Sequence, residues 1–591
     1  MRRLISLFVL AALWQLLAPQ TACGKKYTVF ADGRSEYVIV LASDAVENER
    51  LAAVELQRWL FEVSGVQLPI VAPNEGQRGR RLIVGFNAAA EQLLKGEVKP
   101  EAGNDAFTYR NVGGDILLWG GADRGTLYAV YSLLERELGC RWYTSDVSLA
   151  PRRTEWTFAR LFNHEKPALR MRDDNYRDAM EPRFAARLRN NTIPLPTVDG
   201  RGLIPGSAIR YWSCHTFGQF VPVSKYFDTH PEYFSLIDGK RLRDRSQLCL
   251  TNPDVLRLCT QGILERMRTL PDFFVYSLSQ NDWYNPCQCS KCQAIVDKYG
   301  GQQSGIMLWF VNQVADAVKQ EFPNKFVGTF AYQYTRTPPT GIRPRQNVVV
   351  RLCSIETCLL HEYDDCEQNK RFLDDLRQWS SIAPNLYVWD YVCAFSDYLL
   401  PLPNFKTLAS HLRDIRDHHA IGVMEEGDYQ NRGAELDELR VYVLAKLLWN
   451  PDADTDSIIY DFTEGFYGPA GKYIRQYLEY EHQTLRREGI HQNCYPRPHF
   501  AMYSDEFVTE SRRILQQALD AVAYNSELQK RVDRAMLPLD YLWLCRKPDE
   551  AIAAGALSHF KRVMNQNNFT RIREWGQEQV AEFIQRLEEK R

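Results

Sequence analysis

The most constraining feature of this sequence is a strand-then-helix rhythm that repeats between residues 165 and 435. The later strands are apolar and end in polar residues: FFVYSLSQNDW, KFVGTFAYQYT, NVVVRLCSIET, LYVWDYV and IGVMEEGDYQ. Earlier candidates are ALRMRDDNYRD, RNNTIPLP and the region of RYWSCHTF. Repeating β-then-α units need parallel strands joined by right-handed crossovers. Because no GxGxxG motif follows a strand, the rhythm predicts a (β/α)8 TIM-like barrel rather than a doubly wound nucleotide-binding sheet.

Two further domains flank the predicted barrel. Residues 24–160 combine apolar strands with a hairpin at Gly113-Gly114 and a helix, NERLAAVELQRWLFEVSG, that ends at a capping glycine. This pattern predicts a small α/β domain. Residues 436–591 contain amphipathic helical patterns only, which predict a helical domain packed on the barrel. The division that we expect is therefore 24–160, 165–435 and 436–591.

The N-terminus has the form of an export signal. Arg2 and Arg3 precede an apolar run, LISLFVLAALWQLLA, and small residues follow that run. We expect residues 1–22 to be a signal peptide, so that the mature protein is exported to the periplasm or the cell surface. The tripeptide Ala22-Cys23-Gly24 also resembles a bacterial lipoprotein site. A lipid anchor at Cys23 is therefore the alternative to simple secretion.

The charge balance argues against a strongly basic binding surface. The chain has 72 Lys and Arg against 74 Asp and Glu, for a net charge of −2. A nucleic-acid or anionic-membrane partner would call for a marked excess of positive charge. We therefore expect no nucleic acid among the partners of this protein.

The cysteines form clusters in the middle of the chain. Six of the 14 fall close together: Cys287, Cys289, Cys292, Cys353, Cys358 and Cys366. In an exported protein such clusters suggest disulfides. The CQCSKC run could instead hold zinc, although neither a second CxxC pair nor a regularly spaced histidine accompanies it. We expect a structural role, as disulfide, buried thiol or structural metal, and no catalytic metal.

The strand ends carry carboxylates beside aromatic residues, with no Ser-His-Asp pattern and no HExxH motif. The candidates are His215, Asn281, Asp282, Tyr332, Glu356, Trp389, Asp390, Tyr391 and Glu426. A barrel of this kind forms its active site at the carboxyl ends of the strands. Glycoside cleavage needs a carboxylic acid, a second carboxylate and no cofactor. Taken singly, each carboxylate is also compatible with a helix cap or a salt bridge, and His215 with a structural hydrogen bond.

Many separate motifs resemble known carbohydrate-active enzymes. VELQRWLFEVSGVQLPIV and GGADRGTLYAVYSLLERELGCRWYTSD resemble the domain that precedes the barrel in bacterial α-glucuronidases and hexosaminidases. Later motifs resemble glycoside hydrolase family 163: CHTFGQFVP, HPEYFSLIDGKR, QLCLTNPDV, SLSQNDWYNPCQCSKC, SIETC, HEYDDCEQNKRF, VWDY and LRVYVLAKLLWNPDAD. Together these resemblances cover residues 26–455.

The resemblance implies an endo-β-N-acetylglucosaminidase that cuts complex N-glycans at an internal GlcNAc linked to mannose. In similar retaining enzymes one carboxylate orients the substrate's 2-acetamido group, and a second carboxyl protonates the glycosidic oxygen. Carried over, Asp282 is the orienting carboxylate and Glu356 the general acid/base, with Glu426 in reserve. Related hexosaminidases usually place their two acids side by side. Here Trp283 follows Asp282, so the second acid has to come from another strand. The candidates for substrate binding are His215, Asn281, Tyr332, Trp389, Asp390, Tyr391 and Glu426.

Two other functions remain open. An α-glucuronidase or another exo-glycosidase would fit the N-terminal resemblance. Binding a uronate, however, calls for Arg or Lys at the strand ends, which carry mainly acids, amides and aromatics. A non-catalytic, surface glycan-binding lipoprotein would fit the signal region, but a binder needs no acid/base set. In each case the partner is an oligosaccharide or the glycan of a glycoprotein.

Overall fold

A computed structural model describes residues 25–75, 77–97, 105–121, 124–486, 489–576 and 579–589 of the chain. The predicted signal peptide at 1–22 and the predicted lipid anchor at Cys23 lie outside these residues. Within the described ranges, no helix has both the length and the apolar character that crossing a membrane requires.

The region before residue 170 is a mixed sheet with helices packed on it. Its strands are β1 (Tyr27–Ala31), β2 (Val38–Val40), β3 (Ile70–Val71), β4 (Arg81–Val84), β5 (Phe107–Val112), β6 (Asp115–Gly120), β7 (Arg141–Trp142), β8 (Ser148–Leu149), β9 (Glu155–Phe158) and β10 (Phe162–Glu165). Its helices are α1 (Glu47–Ser64), α2 (Ala88–Leu93) and α3 (Gly125–Leu138). The main sheet has the order β10-β5-β6-β4-β2-β3. Strands β5 and β6 form the hairpin predicted at Gly113-Gly114.

A second sheet, parallel throughout, follows along the chain. The strands from here on are β11 (Met171–Asn175), β12 (Tyr211–Trp212), β13 (Leu236–Ile237), β14 (Lys240–Arg241), β15 (Val275–Ser277), β16 (Phe326–Ala331), β17 (Val348–Cys353), β18 (Leu386–Tyr391) and β19 (Ala420–Glu426). The sheet order is β11-β19-β18-β17-β16-β15-β12, and β13 and β14 form a separate hairpin. The first strand thus pairs with the last, as in a barrel.

The parallel sheet is curled around an apolar cluster. Every strand of the sheet contributes at least one residue to that cluster, among them Met171, Tyr211, Val275, Phe326, Val349, Tyr387 and Met424. The rings of Tyr211 and Tyr387 lie 5.9 Å apart, although β12 and β18 are not neighbours in the sheet. The face that carries these residues is therefore the inside of the curl.

The predicted strand in RNNTIPLP is wrong, and the described sheet has seven strands rather than the eight of the expected (β/α)8 barrel. Pro194 and Pro196 have no N–H to donate to a ladder. Asn191 instead donates to Asp105 at 2.9 Å and accepts from the backbone N–H of Arg172 at 2.9 Å. The edge strands β11 and β12 do not pair with each other. The backbone of Asn191 bridges the gap, since its N–H donates to Arg172 O at 3.2 Å and its carbonyl accepts from Ile209 N at 2.9 Å.

Helices alternate with the parallel strands and then continue alone to the end of the described chain. The alternating helices are α4 (Pro182–Arg187), α5 (Phe217–Phe220), α6 (Val223–Tyr226), α7 (Pro253–Thr269), α8 (Ser290–Lys298), α9 (Gln303–Glu321), α10 (Glu367–Ile382) and α11 (Phe405–Asp417). The later helices are α12 (Asp437–Trp449), α13 (Thr455–Tyr467), α14 (Gly471–Leu485), α15 (Asp505–Ala521), α16 (Ser526–Arg546), α17 (Pro548–Ala553), α18 (Ala556–Gln566) and α19 (Gln579–Glu588).

The three regions share one continuous apolar core. Phe107 of the first sheet stacks on Trp449 of α12, with ring centroids 5.8 Å apart. Arg141 forms an ion pair with Asp461 of α13 at 2.9 Å. The domain boundaries at 24–160, 165–435 and 436–591 stay predictions, since the packing runs across them.

Candidate active site

Asp282 lies five residues beyond the carboxyl end of β15 and has 58% of its side chain exposed. Tyr332 Oη donates to Asp282 Oδ1 at 3.1 Å, and Gln333 Nε2 donates to Tyr332 Oη at 2.9 Å. The ring of His215 bonds the carbonyl of Gln280 through Nδ1 at 2.8 Å, so Nε2 faces Asp282 Oδ1 at 3.8 Å. This network brings together three residues that the sequence predicts, Asp282, Tyr332 and His215, and adds Gln333.

The backbone beside this carboxylate is in a strained conformation. His215 and Gln333 both have a φ of 50°, in the left-handed region that non-glycine residues rarely adopt. Such residues cost of order 1–3 kcal/mol each and cluster at functional sites. The strain therefore supports a functional role for the surroundings of Asp282.

Glu426, at the end of β19, is the second carboxyl of the site. Trp389 Nε1 donates to Glu426 Oε2 at 2.7 Å. Burial raises the pKa of Glu426 to about 8; the hydrogen bond from Trp389 opposes this rise, whereas the charges of Glu574 and Asp282 add to it. Glu426 is therefore mainly a carboxylic acid at neutral pH, close enough to Asp282 to sense its charge.

Glu356, the predicted general acid, has a different environment. It follows β17, and 46% of its side chain is exposed. Arg336 donates to Glu356 Oε2 at 2.7 Å and to Asp375 Oδ2 at 2.8 Å. This contact commits Oε2 of Glu356 to an ion pair with Arg336. The surroundings of Glu356 therefore favour an ion-pair role, and those of Glu426 favour an acid role.

Two other predicted residues are not part of this group. Asn281 is buried, and its Oδ1 accepts from Gly218 N at 2.9 Å while its Nδ2 donates to Ser246 O at 3.1 Å. Its amide is therefore used within the protein. Asp390 lies on the outer face of the sheet, because consecutive strand residues alternate between faces. It accepts from the hydroxyl of Ser354, and burial raises its pKa to about 6.

Aromatic rings line the inner side near Glu426. Trp389 and Tyr391 are stacked with centroids 6.2 Å apart, and Phe330 meets the edge of Trp389 at 5.8 Å. The guanidinium of Arg351 lies 4.1 Å from the Trp389 ring centroid and is buried. Sequence reasoning missed Arg351, which lies two residues before the end of β17 and packs against the Trp389 ring.

A further carboxyl reaches the site from the C-terminal region. Tyr429 Oη donates to Glu574 Oε1 at 3.1 Å. Burial raises the pKa of Glu574, and the charge of Asp282 adds to the rise. Glu574 stands nearly 150 residues beyond β19 and follows no strand. Searching the ends of the predicted strands for polar residues therefore could not identify it.

The protein resembles solved structures of glycoside hydrolases in fold. A family GH115 4-O-methyl-α-glucuronidase with specificity for decorated arabinogalactans is 13% identical, with a TM-score of 0.58 over 91% of this chain and 77% of that one. A Flavobacterium johnsoniae chitobiase is 11% identical, with a TM-score of 0.44 over 95% of this chain and 97% of that one. A Streptomyces plicatus β-hexosaminidase is 12% identical, with a TM-score of 0.43 over 76% of this chain and 92% of that one. At 13% identity the likeness to the glucuronidase, whose TM-score exceeds 0.5, concerns the fold.

The sequence comparison gives a family without an activity. No curated protein sequence matches the chain. One family model, described as a domain of unknown function (DUF4838), matches residues 142–479, which is more than half of the 591 residues and includes the whole parallel sheet. The chain therefore belongs to the DUF4838 family.

Proposed function

We propose that this protein is a glycoside hydrolase of the family 163 type, an endo-β-N-acetylglucosaminidase acting on complex N-glycans with retention of configuration. The observation that carries the proposal is the contrast between two carboxyls on the same rim of the parallel sheet, one after β15 and one at the end of β19. Asp282 is exposed and held by a hydroxyl donor. Glu426 is buried, with its pKa raised to about 8. Acid-assisted glycoside cleavage requires a carboxylic acid and a second carboxyl, and Glu426 and Asp282 offer this pair.

In the proposed mechanism Glu426 is the general acid. The bond from Trp389 occupies Oε2, which leaves Oε1 to carry the proton. As the bond between C1 and the glycosidic oxygen breaks, Glu426 transfers this proton to the departing oxygen. The resulting carboxylate then takes a proton from the water that attacks C1, which restores the acid. Glu356, our first assignment from the sequence, has Arg336 as a competing partner and is less suited to this role.

Asp282 orients the internal nucleophile in this scheme. Tyr332 fixes one carboxylate oxygen, so the carboxylate can accept a hydrogen bond from the N–H of the substrate's 2-acetamido group. The acetamido oxygen then attacks C1, which gives an oxazolinium intermediate instead of a glycosyl-enzyme ester. His215 and Tyr332 border Asp282, and Trp389, with Tyr391 stacked on it, borders Glu426. An extracellular glycoprotein substrate agrees with the export that we propose from the N-terminal sequence, either by simple secretion or with a lipid anchor at Cys23.

The test is glycan release from a glycoprotein that carries complex biantennary N-glycans, followed by mass spectrometry. We expect released oligosaccharides that end in a single GlcNAc, with release lost in Asp282→Asn. Glycan binding without release by the wild-type protein would indicate the non-catalytic binding protein instead. Cleavage of uronic-acid oligosaccharides alone would favour the α-glucuronidase alternative. Either result would overturn the proposed specificity.

A further inference from the structure

Four cysteine sulfurs converge behind the strand end that carries Asp282. Cys249 Sγ lies 3.7 Å from Cys289 Sγ and 3.8 Å from Cys292 Sγ. Cys287 completes the group, and all four sulfurs lie within 4.8 Å of one another. Each of the four is a free thiol, three of them are buried, and Cys289 is partly exposed.

The distances between these sulfurs fit a tetrahedral metal site. Zinc–sulfur bonds of about 2.3 Å in a regular tetrahedron give sulfur–sulfur edges of about 3.8 Å. A disulfide would need a separation of about 2.05 Å. The separations of 3.7 and 3.8 Å at Cys249 therefore match the edges of a tetrahedron.

Donors surround these sulfurs as they do in metal centres. The backbone N–H of Leu236 donates to Cys287 Sγ at 3.3 Å, and the Arg241 guanidinium lies 3.7 Å from the same sulfur. The Thr251 hydroxyl lies 3.2 Å from Cys292 Sγ. N–H and O–H groups in these positions stabilise thiolates and orient them.

We propose that Cys249, Cys287, Cys289 and Cys292 bind one zinc ion. Four protein ligands leave no open position, so the site is structural rather than catalytic. Binding replaces four thiol protons with the metal. Three ligands belong to the CQCSKC run, and the fourth comes from the segment after the β13–β14 hairpin.

The zinc site would also fix the strand end that carries Asp282. Gln247, two residues before Cys249, donates to the carbonyls of Asn281 at 2.9 Å and Trp283 at 2.6 Å. It also accepts from Asn281 N at 3.0 Å. The metal therefore anchors the segment that holds both neighbours of Asp282. Only this positioning role depends on the proposed function; the metal site does not.

A second group, separate in the chain, meets the same criteria. Cys358 Sγ lies 3.2 Å from His361 Nδ1, and Cys366 Sγ lies 3.4 Å from His491 Nδ1. The four ligand atoms lie within 4.8 Å of one another. A tetrahedral Cys2His2 zinc site has sulfur–nitrogen edges of about 3.5 Å. We infer a second structural zinc, which ties the loop after β17 to the segment after α14.

The test is the metal content of the full-length protein, measured by inductively coupled plasma mass spectrometry after dialysis. We expect about two zinc ions per chain in the wild type and about one each in Cys249→Ser and His491→Gln. Cys545→Ser changes a cysteine outside both groups and should keep both ions. Because a serine variant could misfold, cobalt is also loaded into the wild type. Thiolate-to-cobalt charge transfer and intense tetrahedral d–d bands are then expected.

Alkylation of the denatured, chelator-treated protein distinguishes metal-bound thiols from disulfides. We expect all six cysteines of the two sites to be alkylated fully without prior reduction, because none of them is in a disulfide. A wild-type protein without stoichiometric metal, or one whose cysteines are paired as disulfides, would overturn both sites. A wild-type protein that contains only the zinc ion assigned to the four cysteines, and none at Cys358, His361, Cys366 and His491, would overturn the second site and leave the first.

Discussion

Replacement of Glu426 by glutamine tests the acid assignment most sharply. With a pKa of about 8, the carboxyl is roughly nine-tenths protonated at pH 7. At the ordinary value of 4.5 the acid form would be about 0.3% of the total, so burial enriches the acid about 300-fold. Glutamine keeps the acceptor for Trp389 but cannot give up a proton. We expect Glu426→Gln to lower kcat/KM on a natural glycan by about 10²–10⁴-fold.

The assay compares two leaving groups at a series of pH values. Nitrophenolate departs without protonation, so Glu426→Gln should retain most of its activity on a nitrophenyl glycoside of the same glycone. On the natural glycan, wild-type kcat/KM should fall about tenfold per pH unit above pH 8, because the acid form is lost there. Equal losses on both substrates, or a wild-type profile that stays level through pH 9, would refute the reasoning.

Three further predictions follow from the described contacts. Tyr332→Phe removes the donor to Asp282 and should lower kcat about tenfold, with unchanged unfolding; wild-type kcat would contradict the orienting role. His559 lies between two aspartates, and their hydrogen bonds and charges outweigh burial and raise its pKa to about 9. The stabilisation is full below pH 6.5 and lost as the pH rises through 9. His559→Gln should therefore cost on the order of 2–3 kcal/mol of unfolding free energy in urea at pH 6 and little at pH 10; equal costs would exclude the ion pairs. In Gly422→Ala the new Cβ would lie 2.4 Å from Met171 Cβ and force β11 from β19, so the melting temperature should fall, and an unchanged value would contradict this pairing.

Part of the geometry around the candidate site follows from the positions of residues at the strand ends, whereas the roles of these residues stay predictions. Strand periodicity and the polar ends of consecutive strands predict Asp282, Tyr332 and Trp389 on the same rim. In the structure Tyr332 bonds Asp282, and Trp389 packs against Phe330. The same reasoning also selected Asp390 as a site residue. Its position at a strand end does not reveal that its side chain takes the outer face of the sheet. Choosing Glu426 over Glu356 required the burial of one and the ion pair of the other, and neither is visible in sequence spacing.

Contacts between distant segments explain the rest. Cys249 is 38 residues before CQCSKC, so the missing fourth zinc ligand could not be recognised by local spacing. Glu574 reaches the site only through the packing of the C-terminal helices. RNNTIPLP has the apolar content of a strand, but its prolines and the side-chain bonds of Asn191 hold it in an irregular conformation. Local patterns predict elements well, and pairings set by the tertiary fold need the structure.

The central claim is that Asp282 and Glu426 act together on a glycan substrate. The most direct measurement is the single-turnover rate of glycan release from one N-glycoprotein by the wild type, Asp282→Asn, Glu426→Gln and Glu356→Gln at pH 6. We expect losses of at least about 10²-fold for Asp282→Asn and Glu426→Gln and a smaller loss for Glu356→Gln, whose partner is Arg336. Near wild-type release by Glu426→Gln, with release abolished in Glu356→Gln, would contradict it.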